Sequence, residues 1–307
     1  MSILEDIKYN FRQSSNTLKQ LIIINVIVFV VLIVLRTILV LTGGSGIYDL
    51  IMRYLALNSY PLTFITRPWT LITYFFTHEG FLHIIFNMLN LYWFGQIVRE
   101  YLGEKKLLSL YVLGGLAGGV LYLLCYNFIP YFADRAAYSM MIGASASVLA
   151  VVVGAAVLLP NYAFNLILIG PIKIKYIAAF LVLLSISGAV GDNAGGNIAH
   201  IGGAVLGWAF IKQLQRGNDM GRPIHAVIDF FSGLFKRRPN LKVTHRRSTT
   251  ASSTPTNPTN GSKSTFGQAG KPSQNEIDRI LDKISSSGYE SLSKDEKQKL
   301  FQASQKD

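Results

Sequence analysis

Long apolar runs recur along the chain at the length that a lipid bilayer requires. A membrane-spanning helix needs about 20 apolar residues to cross roughly 30 Å of hydrocarbon. Half of the 307 residues are hydrophobic and only 15% are charged, which is unusual for a soluble domain of this length. We therefore expect an all-α membrane protein whose six transmembrane helices lie at about residues 20–41, 81–101, 106–127, 143–160, 171–190 and 198–215.

Lysines and arginines are distributed unevenly between the two sides of these spans. One side carries Lys8, Arg12, Lys19, Arg99, Lys105, Lys106, Lys173, Lys175, Lys212, Arg216 and Arg222. The opposite loops carry Arg53, Arg67 and Arg135. Because basic loops tend to stay in the cytoplasm, this bias predicts that both termini are cytoplasmic. The net charge of +12 fits the same rule, so we expect no nucleic-acid partner.

The sequence also divides the rest of the chain. A cytoplasmic N-terminus at residues 1–19 precedes the membrane domain at 20–215. The first loop, 42–80, is rich in aromatic residues, which favour the membrane interface, and short interfacial helices are expected there.

After the last span, the composition changes three times. Residues 216–247 combine an apolar helical stripe with a run of basic residues, which predicts an interfacial helix and a contact with anionic lipid. Residues 248–272 are rich in Ser, Thr, Pro, Asn and Gly and predict a disordered linker. Residues 273–307 contain capping boxes that begin at Ser273 and Ser293, which predicts a helical hairpin that offers a docking surface for a protein partner.

Polar side chains near the start of three spans form the candidate site. His83, Ser145 and His200 each lie within the first residues of a span that runs from outside to inside, and Asn87 lies one helical turn beyond His83. Such groups are costly in hydrocarbon, so their presence is a functional hypothesis. A serine needs a base to act as a nucleophile, and an amide or second imidazole can stabilise an oxyanion.

Small residues at four-residue spacing support close packing of the fourth and sixth spans. The two series are Ala146, Ala150 and Gly154, and Ala199, Gly203 and Gly207. This spacing lets two backbones approach closely in a membrane. Each polar residue also has a simpler reading, because a transmembrane serine commonly bonds its own backbone and a membrane histidine commonly relays protons.

With these motifs the chain resembles the rhomboid family of intramembrane serine proteases, over about residues 60–215. The family's HxxxN motif matches His83 and Asn87. Its GxSx motif contains Ser145, and its histidine on the sixth span matches His200.

The resemblance implies roles for these residues. Ser145 is then the nucleophile, His200 the general base, and His83, Asn87 and the Ser145 backbone N–H the oxyanion site. It implies a six-helix rhomboid-like bundle that cuts transmembrane proteins near their outer ends, with no cofactor or metal. The bacterial members that the chain resembles imply a bacterial inner membrane.

Three positions depart from the family pattern. Ala146 stands where glycine is frequent, Leu149 where an aromatic residue packs on the base, and Thr70 follows Trp69 where arginine is usual. None of these changes removes a reacting group. The glycine-rich segment 191–197 has no bulky side chain, and we expect it to be a loop that covers the site.

Two other functions remain open. A catalytically inactive rhomboid-like protein could bind transmembrane helices, although inactive relatives typically lose the serine or the histidine. A proton-coupled transporter could use His83 and His200 as a relay, but such proteins also carry acids near the bilayer centre. The second to sixth spans contain none there.

Overall fold

Helices dominate the computed structural model, which describes residues 16–166, 170–235, 274–287, 291–293, 295–297 and 299–300. The chain divides into two compact units, Met1–Pro239 and Asn240–Asp307. In the described part of the first unit, four helices are long and apolar enough to cross a membrane. They are α1 (Thr17–Leu41), α5 (Phe81–Leu102), α6 (Glu104–Phe128) and α9 (Ala194–Gln215). The all-α membrane fold expected from the sequence is confirmed.

Two of the six expected spans are shorter than the sequence predicts. Helix α7 (Ser145–Leu158) and helix α8 (Ile174–Ser187) have 14 residues each, and a 3₁₀ turn at Gly188–Val190 follows α8. A helix of that length rises about 21 Å. Helix α7 begins only at Ser145, and α8 begins only at Ile174 because the residues just before it belong to a strand. The strands β3 (Ala163–Leu166) and β4 (Gly170–Lys173) pair antiparallel.

The first loop contains the short helices that its aromatic residues predict. Helices α2 (Ser45–Leu55), α3 (Pro61–Thr66) and α4 (Thr70–Thr73) precede a 3₁₀ turn at Tyr74–Phe76. Between them, strand β1 (Leu57–Asn58) pairs antiparallel with strand β2 (Met140–Met141). This pairing fixes the first loop beside the residues that lead into α7.

Glycines at the predicted positions bring α7 and α9 into backbone contact. A Cβ atom at Gly203 would collide with the carbonyl oxygen of Ala146, and one at Gly207 would collide with that of Ala150. On α6, Gly118 packs as closely against Ala146 and α9. Approach at this distance requires residues without side chains, as in other membrane helix pairs. The three helices therefore form the tightly packed centre of the fold.

Polar contacts join the segment after the last span to the start of α6, at the end of the bundle that carries the basic residues. Another helix, α10 (Arg222–Phe235), follows the last span, and His225 Nε2 lies 2.8 Å from Ser109 Oγ and 3.1 Å from the Lys105 carbonyl oxygen. Lys106 forms an ion pair with Asp219, which lowers the pKa of that carboxyl group below its usual value. The expected polybasic contact at 236–247, the linker at 248–272 and residues 1–15 lie outside the described residues.

The described part of the second unit contains helix α11 (Gln274–Ser287) and fragments of the segment that follows. The capping box predicted at Ser293 is confirmed, since Ser293 N–H donates to Glu296 Oε2 at 2.7 Å and Glu296 N–H donates to Ser293 Oγ at 3.3 Å. Lys283 and Glu296 form an ion pair at 3.0 Å between the two segments. Residues 273, 288–290, 294, 298 and 301–307 of the expected hairpin lie outside the described residues.

Replacing Gly203 with alanine is expected to destabilise the bundle. The added methyl group would press on the Ala146 carbonyl group, and overpacking of this kind costs about 1–3 kcal/mol. Thermal unfolding of the detergent-purified protein measures the effect. Gly46→Ala is the matched control, because nothing lies within 4 Å of a Cβ atom at Gly46 in helix α2. Equal melting temperatures for the two variants would contradict the close approach.

Candidate active site

Ser145 is the first residue of α7, and hydrogen bonds from two other segments hold the backbone just before it. The Gly143 N–H donates to the Tyr74 carbonyl oxygen at 2.9 Å. The Ala144 N–H donates to His78 Nε2 at 3.2 Å. Because the helix starts at Ser145, its backbone N–H is one of the four at a helix N-terminus that have no partner within the helix. The sequence places the serine on a span, and the structure places it at the helix start.

Only glycine fits at position 143. Its φ of +122° lies in a region that residues with side chains rarely adopt. A Cβ atom there would also lie 2.7 Å from His83 Cε1 and 3.7 Å from Ser145 Oγ. The His83 ring and the Ser145 hydroxyl group therefore both lie near the face of Gly143 from which a side chain would project.

His83 and Asn87 lie on one face of α5, as their four-residue spacing predicts. The Asn87 side-chain amide donates one hydrogen bond, 2.9 Å long, to the His83 carbonyl oxygen. An asparagine amide has two N–H donors. The second remains for another acceptor.

His200 lies on α9, and its ring is held by a residue of α8. The Ser185 Oγ is 3.1 Å from His200 Nδ1, and it is also 2.9 Å from the Leu181 carbonyl oxygen, to which it donates. A hydroxyl group has one hydrogen, so the bond to His200 must be donated by Nδ1–H. With the hydroxyl hydrogen assigned to Leu181, the matching tautomer of His200 carries its lone pair on Nε2.

The four residues that the sequence singles out all line one cavity of about 580 Å³. His83 and Asn87 enter it from α5, Ser145 from α7 and His200 from α9. Ser145 is half-buried and therefore accessible from this cavity. The other residues that line it are Glu79, Gly80, Phe86, Asn90, Met140, Met141, Ile142, Val148, Leu149, Val152, Leu181, Leu184, Ser185, Asn193, Gly196 and Asn197.

The expected covering loop at 191–197 is shorter than predicted. Helix α9 starts at Ala194, so residues 194–197 form its first turn. The Asn197 side-chain amide donates to the Gly188 carbonyl oxygen at 3.0 Å, which fastens this turn to the end of α8. Asn193 and Asn197 line the cavity.

Two polar residues at the site were not singled out from the sequence. His78 is buried, which lowers its pKa to about 4 and keeps the ring neutral, as its acceptor role toward Ala144 requires. Ser185 is buried among apolar residues of α8. A serine inside an apolar run was the available signal for Ser185. His78 had no comparable signal, because its partner lies 66 residues away.

The site's chemistry relies on hydroxyl, imidazole and amide groups. Among the described residues, no group of three or more His, Cys, Asp or Glu side chains is placed to hold a metal ion. A hydroxyl group that shares a cavity with imidazole groups matches the requirements of nucleophilic catalysis.

Two family profiles match the chain. The Rhomboid domain matches residues 66–216, which contain all four candidate residues. A family of unknown function, DUF6576, matches residues 267–306.

Similar proteins carry rhomboid names. RHOMBOID-like protein 12, mitochondrial, of Arabidopsis thaliana is 30% identical over 161 residues, which are 48% of this chain and 47% of that protein. Rhomboid-like protein 16, chloroplastic, of the same plant is 46% identical over 57 residues, or 19% and 18% of the two chains. Presenilin-associated rhomboid-like protein A, mitochondrial, of Danio rerio is 28% identical over 151 residues, or 48% and 37%.

The matched regions span about half or less of each of these relatives. Four helices of spanning length and the matched domain make the chain a multi-pass membrane protein. With its glycine-packed bundle and its serine and histidines in one cavity, the chain belongs to the rhomboid family.

Proposed function

We propose that this rhomboid-family chain is an active intramembrane serine protease. The family includes intramembrane proteases and inactive pseudoproteases, so the proposal depends on the site. The observation that carries it is the orientation of His200, whose Nδ1 is bonded to Ser185 while the ring lines the same cavity as Ser145. A histidine kept in this tautomer has the free Nε2 that a general base needs.

The proposed reaction uses Ser145 and His200 as a dyad. Ser145 Oγ attacks the carbonyl carbon of the scissile peptide bond while His200 Nε2 takes the hydroxyl proton. His200 then returns that proton to the leaving amine as the C–N bond breaks, which leaves an acyl group on Ser145. A water molecule, deprotonated by His200, attacks this ester and releases the new carboxyl group, and the proton returns to Ser145.

The oxyanion that forms in each step needs fixed donors. We assign this role to the Ser145 backbone N–H, the second N–H of Asn87 and the His83 ring. The first belongs to a helix N-terminus, where such groups favour negative charge. His83 lies beside Gly143, two residues before the serine. Donors held in place before the reaction contribute most of their effect in the transition state.

The substrates are proposed to be transmembrane helices of other proteins, cut near the outer membrane surface. The distribution of basic residues supports cytoplasmic termini. The bacterial inner membrane is proposed from the resemblance to bacterial rhomboids, whereas the matched relatives are named as mitochondrial or chloroplastic proteins. Residues at the starts of α5, α7 and α9 line the cavity, whereas basic residues lie at the opposite ends of α5 and α9, which supports an outward-facing site.

Ser145→Ala and His200→Ala are each expected to abolish cleavage of a transmembrane reporter by the purified protein. Asn87→Ala should lower the rate about 10²–10³-fold, as the loss of one oxyanion donor does. A serine-reactive fluorophosphonate should label the unmodified chain and not Ser145→Ala. Absence of labelling in the folded, unmodified chain would instead assign it to the pseudoproteases.

Ser185→Ala is expected to lower kcat about 10- to 100-fold with little change in KM. A positioned general base typically raises the reaction rate about 10²–10⁴-fold. This variant keeps His200 but removes the hydroxyl group that orients its ring, so only part of that rate enhancement should be lost. Ser185→Thr keeps the hydroxyl group and should restore most of the rate. Ser187→Ala is the control, since Ser187 is exposed on the same helix. Equal kcat values for the two alanine variants would remove Ser185 from the mechanism.

Cleavage should require local unwinding of the substrate helix, because a helical segment hides its carbonyl groups in hydrogen bonds. A reporter with Pro or Gly a few residues inside its outer end should be cut, and replacement by Leu should suppress the cut. Ala144 and Ala146 flank the nucleophile, and a small residue such as Ala or Ser is expected before the cut. Mass spectrometry of the products locates the cut, and one at the cytoplasmic end would contradict the orientation.

Two partner assignments for the tail are part of the proposal. Residues 236–247 contact anionic lipid, and the 273–307 hairpin docks on a protein. Flotation with anionic vesicles, with and without residues 236–247, tests the first, and crosslinking in cells tests the second. All reacting groups precede residue 216, so neither contact takes part in the chemistry.

A further inference from the structure

A second cavity lies between the first loop and the segment before β2. Its volume is about 380 Å³. It is lined by Arg53, Asn58, Thr63, Arg67, Ala137, Tyr138 and Met140. Two of these residues are cations and none is an acid, so the cavity has a net positive charge without an internal counter-ion.

The Arg67 side chain is fixed against the helix that carries Arg53. Arg67 Nη1 donates to the Arg53 carbonyl oxygen at 3.0 Å, and its guanidinium group lies 4.1 Å from the centre of the Tyr54 ring. These contacts fix Arg67 and leave several of its N–H donors for a ligand. Among the described residues, neither arginine forms an ion pair with a carboxylate group.

The neutral lining groups are also mainly donors. Asn58 Oδ1 accepts from the Tyr60 N–H at 2.8 Å, which turns the Asn58 amide N–H groups toward other acceptors. Thr63 and Tyr138 add hydroxyl groups. Two guanidinium groups among neutral donors match a phosphate group, whose oxygens accept several hydrogen bonds and carry negative charge.

The surface beside the cavity is apolar. Helix α3 contributes Thr63 to the lining but has no buried residue. Leu62 and Ile65 on the same helix are 64% and 69% exposed, and Trp69 is 45% exposed. Exposed aliphatic and tryptophan side chains at a membrane interface contact acyl chains and headgroups. This apolar surface distinguishes a lipid from a soluble anion.

We propose that this cavity binds the phosphate group of a glycerophospholipid, with Arg53 and Arg67 on the phosphate and the acyl chains along α3. None of the residues that line the site belongs to the proposed reacting groups. Met140 of strand β2 lines both this cavity and the candidate active-site cavity, so the two cavities are neighbours.

The test measures binding of dioleoylphosphatidylglycerol to the full chain in neutral detergent by native mass spectrometry. Arg53→Gln is expected to weaken binding about fivefold, which is the contribution of one arginine near a lipid headgroup. Arg53→Lys should recover most of the loss. Arg135→Gln is the matched control, because Arg135 lies 5.6 Å from the Tyr131 ring and does not line the cavity. All variants keep the basic tail, so any lipid binding by the tail is the same in each and does not affect the comparison.

Two competitors test whether the bound phosphate group belongs to a lipid or to a soluble anion. Dioleoylglycerol, which has the same chains and no phosphate, should not compete, and inorganic phosphate at equal concentration should compete weakly. Undiminished binding by Arg53→Gln, or an equal loss in Arg135→Gln, would overturn the proposal. Full competition by inorganic phosphate would overturn the lipid assignment and indicate a soluble anion. Circular dichroism and thermal unfolding verify that each variant is folded.

Discussion

Backbone contact between α7 and α9 is the interaction on which the rest of the structure depends. Gly203 and Gly207 lie against the carbonyl groups of Ala146 and Ala150, so the two helices approach more closely than side chains would allow. Ser145 starts one of these helices and His200 lies on the other. In a bilayer, where lipid is as apolar as the helices, such packing replaces the hydrophobic effect as the force that joins them. The same glycines thus stabilise the bundle and bring the serine and histidine to one cavity.

Neutral hydrogen bonds then orient the groups that the packing brings together. His78 holds the backbone before Ser145, and Ser185 holds the ring of His200. A carboxylate in either place would carry a full charge into a region of low dielectric, at a large desolvation cost. Hydroxyl and imidazole groups orient their partners through hydrogen bonds without adding a full charge. The buried polar network is therefore compatible with a membrane setting.

Local patterns in the sequence predicted some of these features and missed others for physical reasons. The spacing of His83 and Asn87, the small-residue series and the Ser293 capping box each reflect neighbours within one or two helical turns, and the structure contains all three. Helices α7 and α8 begin and end two or three residues inside the expected spans, because apolar residues also occupy strands and turns at the ends of a span. Ser185 and His78 were missed because their partners lie 15 and 66 residues away. No local periodicity encodes a contact at that separation.

Burial of α7 has a consequence for how the protein fits its bilayer. Residues Ala146 to Ala156 of this helix are almost all enclosed by other helices, so α7 does not need to match the thickness of the hydrocarbon. Hydrophobic matching is left to the four described helices of 22 to 25 residues, of which α1 is the most exposed. Such helices can tilt as membrane thickness changes, at a cost of a fraction of a kcal/mol per ångström of mismatch. A change of membrane composition should thus reach α1 before it reaches the serine.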